Sequence, residues 1–331
     1  MPANLTPDYK RAEQRYREAE TPAEKLAALE EMLRTLPKHK GTEKIEADLK
    51  RRISAAKQAS LAARKGGGGR DPYHIPRQGA GQVLLVGMPN VGKSAIVGAL
   101  TQAPVKIAEF PFSTHVPVPG MAYYEDVPIQ LVDMPPLTAE QLPPGMFGAI
   151  RNADVLAVVI NAAGESLLEE VEAVLAHLRS RRVRLISRPD PGQAADPDAP
   201  ELRRGLIVAN QCDHPEAAGN VEILRGLIDS DLKIVPVSAS TGENLDGLIR
   251  ELFGLLGVVR VYAKPPGKPP DRSAPFIVPA GSTVLQLAER IHKDLAARFK
   301  HARIWGDGTF PGQQVHHDHV LHDKDVVEIH V

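Results

Sequence analysis

From Gln82 onward, short apolar runs alternate with stretches of helical period: "VLLV", "IQLV", "VLAVVI", "GLIVAN" and "KIVPVSA". Runs that are apolar at successive positions suit parallel strands covered by helices on both faces, so this part of the chain predicts an α/β sandwich. The preceding residues have another rhythm. Leu26, Leu29, Leu33 and Leu36 recur at helical spacing behind Thr21, Pro22 and Glu24, a capping box with proline at the first helical position, where its missing N–H costs nothing. After "PKHKG", Ile45, Leu49, Ile53 and Ala56 form a second stripe, and the short connection predicts an antiparallel helical hairpin. "GGGG" at 66–69 ends that unit, because glycines have no side chains to pack and much backbone freedom to lose. "SRPDPGQAADPDAPELRR", spanning 187–203 and one residue beyond, predicts an exposed acidic loop. A proline-rich stretch near residue 263 is followed by a short strand, one helix starting near Thr283 with Gln286 completing a capping box, and a strand-rich tail. The domain plan is a helical hairpin at 1–65, a Gly-rich linker at 66–80, the α/β domain at 81–262, a Pro-rich linker at 263–274 and a small domain at 275–331.

At 331 residues, with 43% hydrophobic and 24% charged positions, the chain fits two or three soluble domains. A formal net charge of −1 argues against a bulk polyanion binder, so contact with nucleic acid must be local. The lone Cys212 allows no intramolecular disulfide, and no cysteine pair exists for a redox motif. The first twenty residues are charged throughout, and no apolar run reaches the roughly 20 residues that span a bilayer. A cytoplasmic protein without a membrane partner is expected.

"VLLVGMPNVGKSAIVGAL" places Gly87, Gly92, Lys93 and Ser94 in the spacing G-x-x-x-x-G-K-S, after an apolar strand and before a helix. Such a loop points backbone N–H groups at phosphate oxygens, and the helix N-terminus adds partial positive charge. Lys93 would reach the β and γ phosphates and Ser94 would bind Mg2+. The base is chosen elsewhere. At the end of "GLIVA", the motif "NQCD" supplies Asp213, whose carboxylate can accept from guanine N1–H and the exocyclic amine together. Adenine offers no such donor pair.

The P-loop, "FPFSTHVPVPG", "DMPP", "NQCD" and "SAS" follow the order of the five guanine-nucleotide motifs of translation-factor-type GTPases. "GMPNVGKS", the switch segment and Leu137 after the third motif resemble the Obg–HflX branch. The helical hairpin, the glycine linker and "GSTVLQLAERIHKDLAARFKHARIWGDG" with "HDHVLHDKDVVEIHV" resemble the developmentally regulated GTP-binding (DRG) proteins, whose C-terminal TGS domain is a β-grasp fold. The resemblance implies a P-loop GTPase that binds GTP and GDP through Gly87, Asn90, Val91, Gly92, Lys93, Ser94 and Ala95. It implies that Thr114 helps hold Mg2+ and the γ phosphate, and that Asp133 holds Mg2+ through water. Asn210 and Asp213 would face the base beside Gln211, and Ser238 and Ala239 would support it through their backbone. Asn90 matches an asparagine that serves K+ in several relatives; the alternative is a residue that only shapes the turn. Lys93, Thr114 and Asn90 are thus the candidates for catalysis, and a ribosome or structured RNA, with room for a small regulatory protein, is the implied partner.

The chain departs from the family pattern in several places. Pro136 stands where glycine usually offers its N–H to the γ phosphate, and proline has none. Gln211 replaces a lysine whose stem covers the base, and the acidic loop stands in place of an inserted subdomain. Leu137 occupies the position of a water-orienting glutamine, so slow hydrolysis is expected; the rival is a noncatalytic nucleotide-stabilised adaptor. Basic side chains crowd the stretch from Lys38 to Arg70, either as a solvated helix face or as a ridge for RNA phosphates. "HHDHVLHD" at 316–323 fits the family's strand-turn pattern better than a metal site through His316, His317, His319 and His322, and Trp305 is expected to pack within the β-grasp domain.

Overall fold

The computed structural model describes residues 9, 11, 14, 16, 22–36, 49, 52–53, 71–101, 116–137, 145–187, 200–228 and 230–331. They divide into two compact units, Met1–Asp71 and Pro72–Val331. Among the described residues no helix is long and apolar enough to cross a membrane.

In the first unit, α1 spans Pro22–Thr35, opening at the proline as an N1 residue should. Leu29, Met32 and Leu36 are buried with Leu49 and Ile53 of the second apolar stripe, both helical. Ile45 and Ala56 lie outside the described residues, as does most of the basic stretch; Arg52 is described and exposed. Tyr9, Arg11, Gln14 and Tyr16, which periodicity does not single out, are helical as well, and Tyr9 is buried in the same cluster. Tyrosines among charges leave no aliphatic stripe to read.

The second unit is built on a seven-stranded sheet: β1 (Gln82–Val86), β2 (Val118–Tyr124), β3 (Val127–Asp133), β4 (Val155–Asn161), β5 (Val183–Ile186), β6 (Glu201–Asn210) and β7 (Ile234–Pro236). The order is β2-β3-β1-β4-β6-β5, with β7 also paired to β6, and β2 alone is antiparallel to its neighbour. Side chains alternate between two cores. Leu84, Val86, Leu156 and Val158 face α3 (Met146–Asn152), α4 (Leu167–Ser180) and α5 (Ala217–Leu227), whereas Val83, Leu85, Val155 and Ala157 face α2 (Lys93–Leu100) and α6 (Leu245–Leu256). The parallel registers Leu85↔Asp133 and Asn161↔Asn210 bring the carboxyl ends of four strands to one edge, where ligands of open α/β sheets bind.

Three expected loops are tied into the fold more closely than the composition suggested. β6 begins at Glu201, so the acidic loop ends before the last residues read into it; they pair instead with β5. Tyr73, placed in the Gly-rich linker, is buried in the α3–α5 core, and Ala80 N–H donates to Pro128 O at 2.7 Å. The Pro-rich linker folds back as well, with Lys264 N–H on Val327 O and Asp271 N–H on Ala263 O.

The C-terminal sheet, ordered β11-β10-β12-β8-β9, contains β8 (Val258–Ala263), β9 (Phe276–Pro279), β10 (His301–Trp305), β11 (Gln313–Val315) and β12 (Asp325–His330). β8, which the sequence pattern assigns to the α/β domain, belongs here, paired parallel to β12. Its alternation sends Val259 and Val261 inward against α7 (Val284–Ile291), which buries Val284, Leu287 and Ala288 in the β-grasp core. Thr283 and Gln286 form the expected capping box, and α8 (Lys293–Ala297) follows. The carbonyls of His317 and His319 accept the first N–H groups of α7, Leu285 and Val284, at 3.0 Å. Trp305 is half-buried beneath Lys264, whose Nζ lies 4.9 Å from the ring centroid.

A tight corner of this domain gives a stability prediction. A Cβ added at Gly306 would stand 1.7 Å from Oδ1 of Asp325. Asp325 is fully buried, burial pushes its carboxyl above the ordinary range, and its Oδ2 accepts His322 N–H at 2.8 Å, so it has nowhere to move. Gly306→Ala should cost about 2–4 kcal/mol, read as a lower unfolding midpoint in urea. Gly254→Ala in α6, where an added Cβ meets nothing within 4 Å, should be neutral or stabilising by about 0.5–1 kcal/mol.

Candidate functional site

Where β1 opens into the loop, a Cβ on Gly87 would lie 2.3 Å from Val159 O, so only glycine fits against β4. Asn90 follows, exposed and left-handed at φ 62°, and Gly92, at φ 89°, caps α2. Lys93, 6% exposed, folds its side chain back across the loop. Its Nζ donates to Gly87 O at 3.2 Å and Met88 O at 2.8 Å. Burial pushes its pKa down to about 8, against the opposing pull of Asp133 and Glu170. Ser94 Oγ donates to Asp133 Oδ2 at 2.5 Å, bringing a hydroxyl from α2 and a buried carboxylate from the end of β3 together. Glu170 is an addition that spacing did not single out. It lies in the first turn of α4, accepts Asn161 N–H at 3.4 Å, and burial raises its pKa beside Lys93. Glu165 and Glu169 stand nearer the end of β4, so sequence position alone does not distinguish Glu170.

The other end of the site lies past β6. Asn210, 2% exposed, lines the cleft at the end of β6 and is tied on two sides. Its Nδ2 donates to Val91 O at 3.1 Å and its Oδ1 accepts Ala239 N–H at 3.1 Å, so it staples the phosphate loop to the "SAS" segment. Gln211 is left-handed at φ 65° and half-exposed. Asp213 is exposed, with Ser240 Oγ at 3.5 Å, and a hydrogen bond from Ser238 holds its carboxyl below the ordinary range. It is therefore an ionised acceptor with room in front of it. That room is a cleft of about 690 Å³ lined by Gly92, Ala95, Asn210, Gln211, Asp213 and Ala239, among others. Ser238 is buried beneath it. Burial, then Glu243, pushes the Cys212 thiol up to about 11, which leaves it inert.

The corner after Asp133 is tied down. Met134 N–H donates to Leu85 O at 3.2 Å and Leu137 N–H to Gly87 O at 3.1 Å. The Leu137 side chain is wholly inside the α3–α5 core, and Pro136 stands half-buried before it. Thr114 lies outside the described residues.

Comparison with known proteins extends this picture. A model of the 50S ribosome-binding GTPase family matches residues 82–187 and a TGS domain model matches 259–331. An uncharacterized GTP-binding protein of Methanocaldococcus jannaschii is 27% identical over 92% of this chain and 92% of its own length. Developmentally-regulated G-protein 2 of Arabidopsis thaliana is 27% identical over 92% of this chain and 90% of its own. The chain is similar to the developmentally-regulated GTP-binding proteins over 92% of its length. Among solved structures, the Schizosaccharomyces pombe YchF GTPase shares the fold, with a TM-score of 0.52 at 12% identity over 77% of this chain and 99% of that one. In this DRG-like chain the TGS match begins at residue 259, within β8, in agreement with the strand's place in the second sheet.

Proposed function

We propose that this chain binds GTP and GDP with Mg2+ in the cleft between Asp213 and the Lys93 loop, hydrolyses GTP slowly, and couples that cycle to a ribosome or structured RNA in the cytoplasm. One observation carries the reading: an open, ionised carboxylate and a glycine-lined phosphate loop share one cleft, joined through Asn210. Guanine presents two adjacent donors to Asp213, and adenine does not. Lys93 would exchange the carbonyls of Gly87 and Met88 for β and γ phosphate oxygens, and the backbone from Asn90 to Ala95 would cradle the rest. Ser94 and, through water, Asp133 would hold Mg2+; their hydroxyl and carboxylate oxygens fit a hard divalent cation. When bound, the ion neutralises phosphate charge. Thr114 would close over the γ phosphate, Asn90 would hold K+, and Ser238 and Ala239 would support the base with Gln211 across its face. The description of the family matching 82–187 and the basic stretch from Lys38 to Arg70 support the ribosome or RNA partner.

Single-turnover hydrolysis of GTP, with and without ribosomes and in K+ against Na+, tests this. The expected result is a slow rate that K+ and ribosomes each raise; bound GTP that turns over in none of these conditions would contradict the catalytic part. The seclusion of Leu137 and the missing N–H of Pro136 favour a second reading, an adaptor that holds nucleotide and barely cycles. Pro136→Gly would restore one charge-assisted donor worth about 1.5–3 kcal/mol. It should sharpen the preference for GTP over GDP by roughly 10- to 150-fold, measured by nucleotide titration; a wild type that already separates them as strongly would defeat the missing-donor argument.

A further inference from the structure

The β2–β3 hairpin links the nucleotide cleft to the C-terminal domain. At its open end Asp133 closes β3, paired with Val118 of β2. At its closed end, about 20 Å away for a strand of this length, the two-residue turn Glu125–Asp126 is gripped by β8. Arg260, 1% exposed, donates through Nη1 to Glu125 Oε2 at 2.6 Å and to Asp126 Oδ1 at 2.7 Å. Its Nε and Nη2 fork onto Asp323, at 3.1 Å each. Tyr262 Oη donates to the other oxygen of Asp126 at 2.6 Å. The guanidinium lies 5.3 Å from the ring centroids of both Tyr124 and Phe253, themselves stacked at 4.8 Å. A planar fork filled on every side cannot follow its partners if they move, so this grip admits one axial position of the turn. β3 is buried along nearly its whole length and paired on both sides; a shift at one end is carried to the other.

We infer that Arg260 is a positioning residue for the nucleotide site: by fixing the β2–β3 hairpin it couples the choice between tri- and diphosphate to the seating of the C-terminal domain. This rests on the guanine-nucleotide reading of the cleft and adds a regulatory part for a domain that supplies none of the described residues lining it. Coupling of this kind is reciprocal. The nucleotide state that favours the hairpin position seen here tightens the C-terminal domain, and loosening the grip changes the ratio of the two affinities. A cluster that served stability alone would scale both affinities together.

The test uses the full chain with Mg2+ and the conservative variants Tyr262→Phe and Arg260→Lys, since Arg260→Ala would leave three carboxylates facing a void and risk unfolding. Titrations with a non-hydrolysable guanosine triphosphate and with GDP give the ratio; hydrogen exchange of the β8 amides reports the seating. Both variants should shift the ratio in the same direction, by on the order of threefold to tenfold, with guanine-over-adenine preference unchanged. The difference in β8 protection between the two nucleotide states should shrink in both. Variants that loosen β8 yet keep the wild-type ratio, or that leave β8 and the ratio both unmoved, would overturn the coupling alone. A wild type that binds no guanine nucleotide would overturn the functional reading and this inference with it.

Discussion

Asp213→Asn is expected to lower the affinity for GDP and GTP by a factor on the order of a hundred or more, with no change in melting temperature. The side chain is exposed and carries no packing, so the loss falls on recognition. An ionised carboxylate can accept from both guanine donors; an amide offers one acceptor, and its NH2 meets the guanine amine donor to donor. The same NH2 is matched by the 2-carbonyl of xanthine, so the variant should gain affinity for xanthosine diphosphate as it loses GDP. Parallel titrations with the two nucleotides check this. A variant that holds GDP as tightly as the wild type would remove Asp213 from base selection.

Gly92→Ala should abolish measurable nucleotide binding and lower stability by about 2–4 kcal/mol. A Cβ there would stand 2.1 Å from Asn210 Nδ2, on a residue at φ 89°, a backbone state that costs an L side chain energy by itself. Asn210 cannot yield without releasing both Val91 O and Ala239 N–H, so one added methyl separates the phosphate loop from the base-binding segment. Thermal melts and a fluorescent-GDP titration read the two effects. Gly219→Ala, in α5 with nothing within 4 Å of the added atom, is the control and should bind as the wild type does.

Much of the site was legible because its signals are local. The spacing from Gly87 to Ser94 forces a strand–loop–helix unit, and Thr283 with Gln286 announces a helix start from four residues. What sequence did not yield depends on distant partners. β2 was hidden by Pro119, which an edge strand tolerates because its outer side needs no donor. The prolines after Ala263 drew the domain boundary too late, since only pairing with β12, more than sixty residues on, assigns β8 to the second sheet. Asn210 is found by its motif, but its ties to Val91 and Ala239 are not, since they depend on how closely the loop at Val91 folds over β6. Arg260 gave no signal at all, because the carboxylates that surround it come from a hairpin turn and a loop far off in the chain.

Equilibrium dialysis of the purified chain with Mg2+ and equimolar GDP and ADP tests guanine selection most directly. Retention of GDP over ADP by a factor on the order of a hundred or more is the predicted result. Equal retention of the two, or retention of neither, would contradict it.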